Sequence, residues 1–326
     1  MAGQVARRGG WLLLLMLFSM EMAAAMPRCL LVYSYHVGYP WNDAIDRSAT
    51  ELLQGRCEIE RIYMDSKRNP DERYIRQQAD LAFLKIEQWQ PDVIIAVDDN
   101  ASKFLVAPYL KDHPIPVIFC GLNWDIKEYG YPYRNTTGMI EIAPLEPLLL
   151  QSQQLLHHQL PSRTVPLQLT FIDADRLSAR KEFEHIKAQF ESPQLQIEGR
   201  FVETFQQWQQ AFEQGQQGDI ILLLNNAGIE GWNDREASRI VANGKTFSIT
   251  SHDWMRHWSM LTMAKEPEEQ GEWAAEVAQL ILEGVVPSAI DHAKNRRWRS
   301  YVNLPLLKQA GITLPSSLMK RAEWIE

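Results

Sequence analysis

Val93-Ile94-Ile95-Ala96-Val97 follows Pro91-Asp92 and stops at Asp98-Asp99-Asn100-Ala101, and Val117-Ile118-Phe119 follows Pro114-Ile115-Pro116 and stops at Cys120-Gly121-Leu122-Asn123-Trp124-Asp125. An apolar, largely β-branched run closed at once by carboxylates and amides reads as a parallel strand buried on both faces, with its polar cluster at the carboxyl end. Open α/β sheets bind their ligands at that edge.

The same alternation extends both ways along the chain. Residues 30–35 and 58–64 read as strands, and 42–53 and the segment from Asn69-Pro70-Asp71 to about Trp89 read as helices. In the second of these, Asn69 is the expected cap and Pro70 the first helical residue. Ile75, Ala79, Ala82, Phe83 and Ile86 recur at three- and four-residue steps, which turns one stripe of that helix toward a sheet. After Pro144 a second series begins. Helices at 145–160, 178–190 and 205–215 alternate with strands at 165–172, 195–203 and 219–224, and 246–250 adds a further strand. Two of these strands stop at Asn225-Asn226-Ala227-Gly228 and Ser251-His252-Asp253-Trp254, as the strands of the first half stop. Strand and helix alternation implies parallel sheets with right-handed crossovers. The fold class is α/β, in two doubly wound lobes.

Arg7 and Arg8 precede an apolar run from Trp11 to Met20, and Ala23-Ala24-Ala25 supplies the small residues a signal peptidase reads. The run is short for a membrane span. Residues 1–25 therefore read as a cleaved signal peptide, and the mature chain as a soluble, monomeric periplasmic protein. A formal net charge of −8 argues against nucleic acid as a partner. Cys29 and Cys57 each stand just before a strand. If those strands are neighbours the sulfurs can bridge in an oxidising compartment, and otherwise they remain two buried thiols. Cys120 is left free in either case.

With those residues laid out, the chain resembles the substrate-binding proteins of ABC transporters with the type 1 periplasmic binding fold, the relatives of aromatic amino acid binders. The C-terminal residues carry it: the helix at 271–284, Pro287, Val302-Asn303-Leu304 and Ala310-Gly311-Ile312-Thr313-Leu314-Pro315-Ser316-Ser317-Leu318. Ser34-Tyr35-His36, Tyr39-Pro40-Trp41, Tyr63-Met64-Asp65, Asp98-Asp99-Asn100-Ala101 and Gly121-Leu122-Asn123-Trp124 mark a narrower branch. The resemblance implies two lobes joined by a three-crossover hinge and closing on a ligand. The crossings are expected near Glu141, His252 and Val285, giving one lobe from 26–141 plus 252–285 and another from 142–251 plus 286–326.

Ligand contacts are then expected from loops after the strands: Ser34, Tyr35, His36, Trp41, Asp98, Asp99, Asn100, Asn123 and Trp124 in the first lobe, and Asp173, Ser178, Asn225, Asn226, His252, Asp253 and Trp254 in the second. An indole or phenol can wall a cleft while carboxylates and amides orient a small polar solute. Asp98 or Asp253 is the natural partner for an ammonium, and the helix starts near Ala101 and Ser178 suit a carboxylate. Histidine spacing matches no zinc motif, and neither metal nor cofactor is expected. No nucleophile elbow or phosphate loop is present, so the chain is not expected to be an enzyme. A hydrolase using Asp98 and Asp99 is the catalytic alternative. The membrane partner implied is an ABC permease or, alternatively, a sensor receptor such as a histidine kinase or cyclase.

Overall fold

A computed structural model describes residues 25–123, 125–159 and 166–326, so all but Ala25 of the expected signal peptide lies outside the described residues, as does Trp124. The first lobe begins with β1 (Arg28–Tyr33), α1 (Pro40–Leu53), β2 (Glu58–Tyr63), α2 (Glu72–Trp89) and β3 (Val93–Val97). It continues through a short α3 (Asp98–Asn100), prolonged by π-type turns over Ala101–Leu110, to β4 (Val117–Asn123) and β5 (Thr136–Glu141). The second lobe follows with α4 (Leu145–Gln159), β6 (Leu167–Ala174), α5 (Leu177–Phe190), β7 (Leu195–Val202) and α6 (Phe205–Gly215), then β8 (Ile220–Leu223), α7 (Asp234–Ala242), β9 (Phe247–Thr250) and β10 (Leu261–Lys265). The chain returns to the first lobe for α8 (Pro267–Leu282) and β11 (Ala293–Lys294). It ends in the second lobe with β12 (Trp298–Asn303), α9 (Leu304–Ala310), α10 (Ser316–Met319) and β13 (Glu323–Ile325).

The first sheet runs β11-β5-β4-β3-β1-β2 and is parallel throughout; the second runs β13-β12-β10-β9-β8-β6-β7, with β12 antiparallel to β10. Within each, the first five strands of the lobe take the same order, 5-4-3-1-2, so the lobes are topological repeats. Every residue of β3, the strand on which the reading turned, is buried. Apolar side chains cover both faces of the first sheet, and one larger cluster fills the second lobe. No helix among the described residues is long and apolar enough to cross a membrane.

Three expectations need correction. Asp71, not Asn69, caps α2: its carboxylate accepts from the Arg73 and Tyr74 amides, which suits the helix N-terminus better than an amide two residues earlier. The second crossing lies after Lys265 rather than at His252. The turn Asp253–Trp258 buries Met255 and Trp258 in the second core and feeds β10 alongside β9, which keeps 252–265 in the second lobe. The third crossing lies between β11 and β12, beyond Val285, because β11 pairs with β5 before the chain leaves.

α8 packs closely on α1. A Cβ on Gly271 would lie 2.2 Å from Ser48 Oγ and 2.3 Å from the Ile45 carbonyl, so only glycine permits this approach. Cys29 and Cys57 are joined in a disulfide across β1 and β2, with Cα atoms 5.9 Å apart, and Cys120 is a buried free thiol. Asn135, the first residue of an Asn-x-Thr triplet, is buried and donates to the carbonyls of Leu110 and Ile115.

Candidate functional site

The polar carboxyl ends of β1, β3, β4 and β5 and of β6, β8, β9 and β10 form the facing edges of the two lobes. At the centre of the first edge is Asp98, 3% exposed and at φ +68°, a left-handed conformation that costs a residue with a side chain. Gly121 on β4 makes room for it: a Cβ there would approach Asp98 Oδ1 to 2.9 Å, and Gly121 itself sits at φ +73°. The Gly121 amide donates to Gln270 Oε1 on α8 at 3.0 Å, which fixes this loop from behind. Oδ2 of Asp98 is buried without a hydrogen-bond partner. Burial, reinforced by Glu141 and Asp99, pushes its carboxyl well above the usual carboxylate range, while Lys67 and Lys265 pull it back.

The neighbours of Asp98 divide into those that brace the loop and those that remain open. Ser34 is fully buried; its hydroxyl donates to the Val97 carbonyl at 2.7 Å and accepts from the Ala101 amide at 2.9 Å, tying β1 to the start of the π-type turns. Asn100 donates to Ser66 Oγ at 2.8 Å. Asp99 accepts from the Tyr129 hydroxyl at 2.7 Å and from Asn123, although burial still raises its carboxyl. Tyr35 packs edge-on against Tyr39 at 4.9 Å, with Lys67 above both rings. His36 Nδ1 is buried, without a hydrogen bond, 3.6 Å from Asp65, whose carboxylate is clamped by Arg68. Trp41 lies under the Lys265 ammonium at 5.4 Å.

On the second edge Asp173 is buried, its Oδ1 accepting from the Ala174 and Asn225 amides; burial, helped by Glu182, raises its carboxyl to about 7. Asn225 accepts from the Ala227 amide and shapes that turn, and Asn226 beside it is half-buried. His252 packs edge-on against Trp254 at 4.4 Å, and burial, with Lys265 and Arg176 nearby, lowers its imidazole to about 3, so it is neutral. Trp254 is 53% exposed. Ser178 is exposed in the first turn of α5. Asp253 is exposed and paired with Arg256 at 2.7 Å, which leaves Asp98, of the two carboxylates suited to an ammonium, as the unpaired one.

The sequence reading missed several charged groups of this region. Glu141 ends β5 and Lys265 ends β10, equivalent strands of the two lobes, and they form an ion pair at the hinge. Lys265 also acts electrostatically on Asp98 in the first lobe and on Glu182 and His252 in the second, so it lies at the base of the cleft. Arg176, in the turn after β6, carries a buried Nε without a hydrogen bond. The internal repeat was the available signal, since aligning the halves sets Glu141 beside Lys265. A separate groove of about 1040 Å³, lined by Leu155, Arg296, Trp298, Leu314 and Leu318 among others, flanks α4 near the hinge and contains none of the expected residues.

Solved structures share this architecture. A ligand-free, open substrate-binding protein with adhesive properties from Clostridium difficile matches at 15% identity over 92% of this chain and 99% of that one, with a TM-score of 0.68. The chain has the type 1 periplasmic binding protein fold. Other similar structures are an ABC domain in complex with L-Trp from Streptococcus pneumonia (16% identity, 92% and 100% coverage, TM-score 0.58) and an ABC transporter solute-binding protein from Bacillus halodurans with bound myo-inositol (12%, 88% and 98%, 0.53). No family profile and no curated protein sequence matches the chain.

Proposed function

We propose that this chain is a periplasmic solute-binding protein that captures a small organic solute between its lobes and delivers it to an ABC permease. The observation that carries this reading is the Asp98 carboxylate: buried, held in a costly backbone conformation and left with an unpartnered oxygen at the cleft edge. An empty protein gains nothing from such a group, because an unsatisfied buried polar atom costs about 1–3 kcal/mol. A ligand ammonium recovers that cost. Tyr35 and Tyr39 offer flat faces beside it, so the solute has a cationic end and a flat apolar part. Two of the similar structures hold small organic molecules, tryptophan and myo-inositol.

Binding fits the geometry better than hydrolysis. A catalytic carboxylate pair needs both members free to exchange protons, whereas Asp99 is engaged by Tyr129 and Asn123. The export expected from the N-terminus suits a protein that collects solute outside the inner membrane. Mass spectrometry of what co-purifies with gently isolated protein tests the reading, followed by calorimetry of that solute on the Asp98→Asn variant. Loss of one charge-assisted contact, about 1.5–3 kcal/mol, predicts binding weaker by roughly ten- to a hundredfold. An unchanged affinity would move the site away from Asp98.

A further inference from the structure

The groove beside α4 contains none of the residues assigned to the cleft, and its volume of about 1040 Å³ is ample for a small organic molecule. It borders the hinge. Glu266 follows the second crossing and Arg296 and Arg297 belong to the third, while α4 and the segment from Thr313 to Arg321 bring the second lobe to its other walls. The apolar part consists of Leu155 and Leu314, both buried, with Leu318 and the indole of Trp298, which is 39% exposed. Trp298 and Ser300 stand two apart on β12 and share the face that looks into the groove.

The charge of the groove is one-sided. Arg297 is neutralised, lying 3.3 Å from Glu266 and 2.7 Å from Glu272. Arg296 and Arg321 also line the groove, and neither forms an ion pair with an acidic group among the described residues. The backbone that carries Arg296 is nevertheless fixed, because its amide and that of Arg297 donate to the Glu269 carboxylate of α8. Gln151 contributes an acceptor: its Oε1 is buried without a hydrogen-bond partner among the described residues. In a chain of formal net charge −8, a basic pair beside an apolar wall is a local inversion of charge.

We propose that this groove is a second binding site, outside the interlobe cleft, for a flat organic anion distinct from the solute held between the lobes. Arg296 and Arg321 hold its carboxylate, sulfonate or phosphate, since the planar guanidinium fork pairs with such groups through two hydrogen bonds. Its rings lie on Trp298 and against the three leucines, and an N–H or O–H donates to Gln151 Oε1. A wholly apolar occupant would leave both arginines without a counter-ion, and an inorganic anion would leave the indole and the leucines in water. Because Arg296 belongs to the third crossing and Arg321 to the second lobe, an anion shared between them ties that crossing to that lobe. The site does not depend on the solute-binding reading of the cleft, and neither stands or falls with the other.

The test uses the full mature chain and two fluorescent dyes that differ by one charge: anilinonaphthalene sulfonate, and phenylnaphthylamine, the same ring system without the sulfonate. Both brighten in apolar surroundings, so titration gives their affinities directly. The expected result is saturable binding of the sulfonate, at least tenfold tighter than the neutral dye and weakened by added salt, which leaves the neutral dye unaffected. The double variant Arg296→Gln/Arg321→Gln should lose at least fivefold for the sulfonate and bind the neutral dye as before, and Trp298→Ala should weaken both. All three side chains are exposed, so the variants keep the fold, and circular dichroism checks that they do. Equal binding of the two dyes, a sulfonate affinity unchanged in the double arginine variant, undiminished binding of both dyes by Trp298→Ala, or no saturable binding would overturn the proposal. A sulfonate affinity altered in Asp98→Asn and not in the arginine variant would seat the dye in the interlobe cleft, overturning the groove site and leaving the solute-binding reading in place.

Discussion

Asp98 holds a carboxyl that burial and its neighbours Glu141 and Asp99 keep protonated beyond the usual range, with Lys67 and Lys265 opposing them. A cationic ligand prefers the ionised form, so binding should expel a proton and tighten as pH rises through the carboxyl's folded titration range. Calorimetry in buffers of different ionisation enthalpy should register proton release, abolished in Asp98→Asn; identical heats in all buffers would contradict it. Asp173 makes a separate prediction about stability. Its folded value of about 7 lies above the unfolded one, so its contribution is fully present below about pH 4 and is lost as pH rises toward 7. His252, lowered to about 3, works in the other direction, its contribution present above about pH 6.5 and lost as pH falls toward 3. Urea unfolding from pH 4 to 8 should therefore show the Asp173→Asn variant gaining on the parent protein as pH rises. At this scale the sequence revealed Asp98 and Asp173, since carboxylates directly after fully apolar strands stand out. Arg176, Glu141 and Lys265 stayed hidden because a single charge at a strand end looks like a solvated one until its burial is known.

Elements were legible wherever a period ran long. α6 coincides with its expected span, 205–215, and Thr204 with Gln207 forms a capping box at its start. β10 was missed, because Leu261-Thr262-Met263-Ala264-Lys265 lacks a polar terminus and follows a turn that resembles an exit from the lobe. α8 begins four residues before the expected Gly271, at Pro267, since that glycine serves the approach of α1 rather than a helix end. The disulfide belongs to this scale too, tying the starts of β1 and β2 and closing a loop of sequence separation 28. A loop of that length implies stabilisation of about 3–4 kcal/mol. Denaturation of Cys57→Ser should show a loss of that order, and thiol titration of the denatured, unreduced parent should find one thiol, that of Cys120. A count of three would contradict the bridge.

For the whole molecule, the two-lobed fold was legible because the strand, helix and polar-turn sequence occurs twice, and both sheets adopt one strand order. The crossings were not legible in the same detail, since which lobe a short strand joins depends on pairing partners distant in sequence, as β11 with β5 and β12 with β10. Repetition places Glu141 and Lys265 at the same point of each lobe, and their ion pair sets a charged floor between Asp98 and His252. The central claim is that a small solute is held there, between the lobes, on Asp98. A crystal structure of the protein with the solute it carries from the cell tests this most directly. The account predicts electron density between the lobes, with a cationic atom within hydrogen-bonding distance of Asp98 Oδ2; solute seated in the groove beside Trp298, or in the cleft away from Asp98, would contradict it.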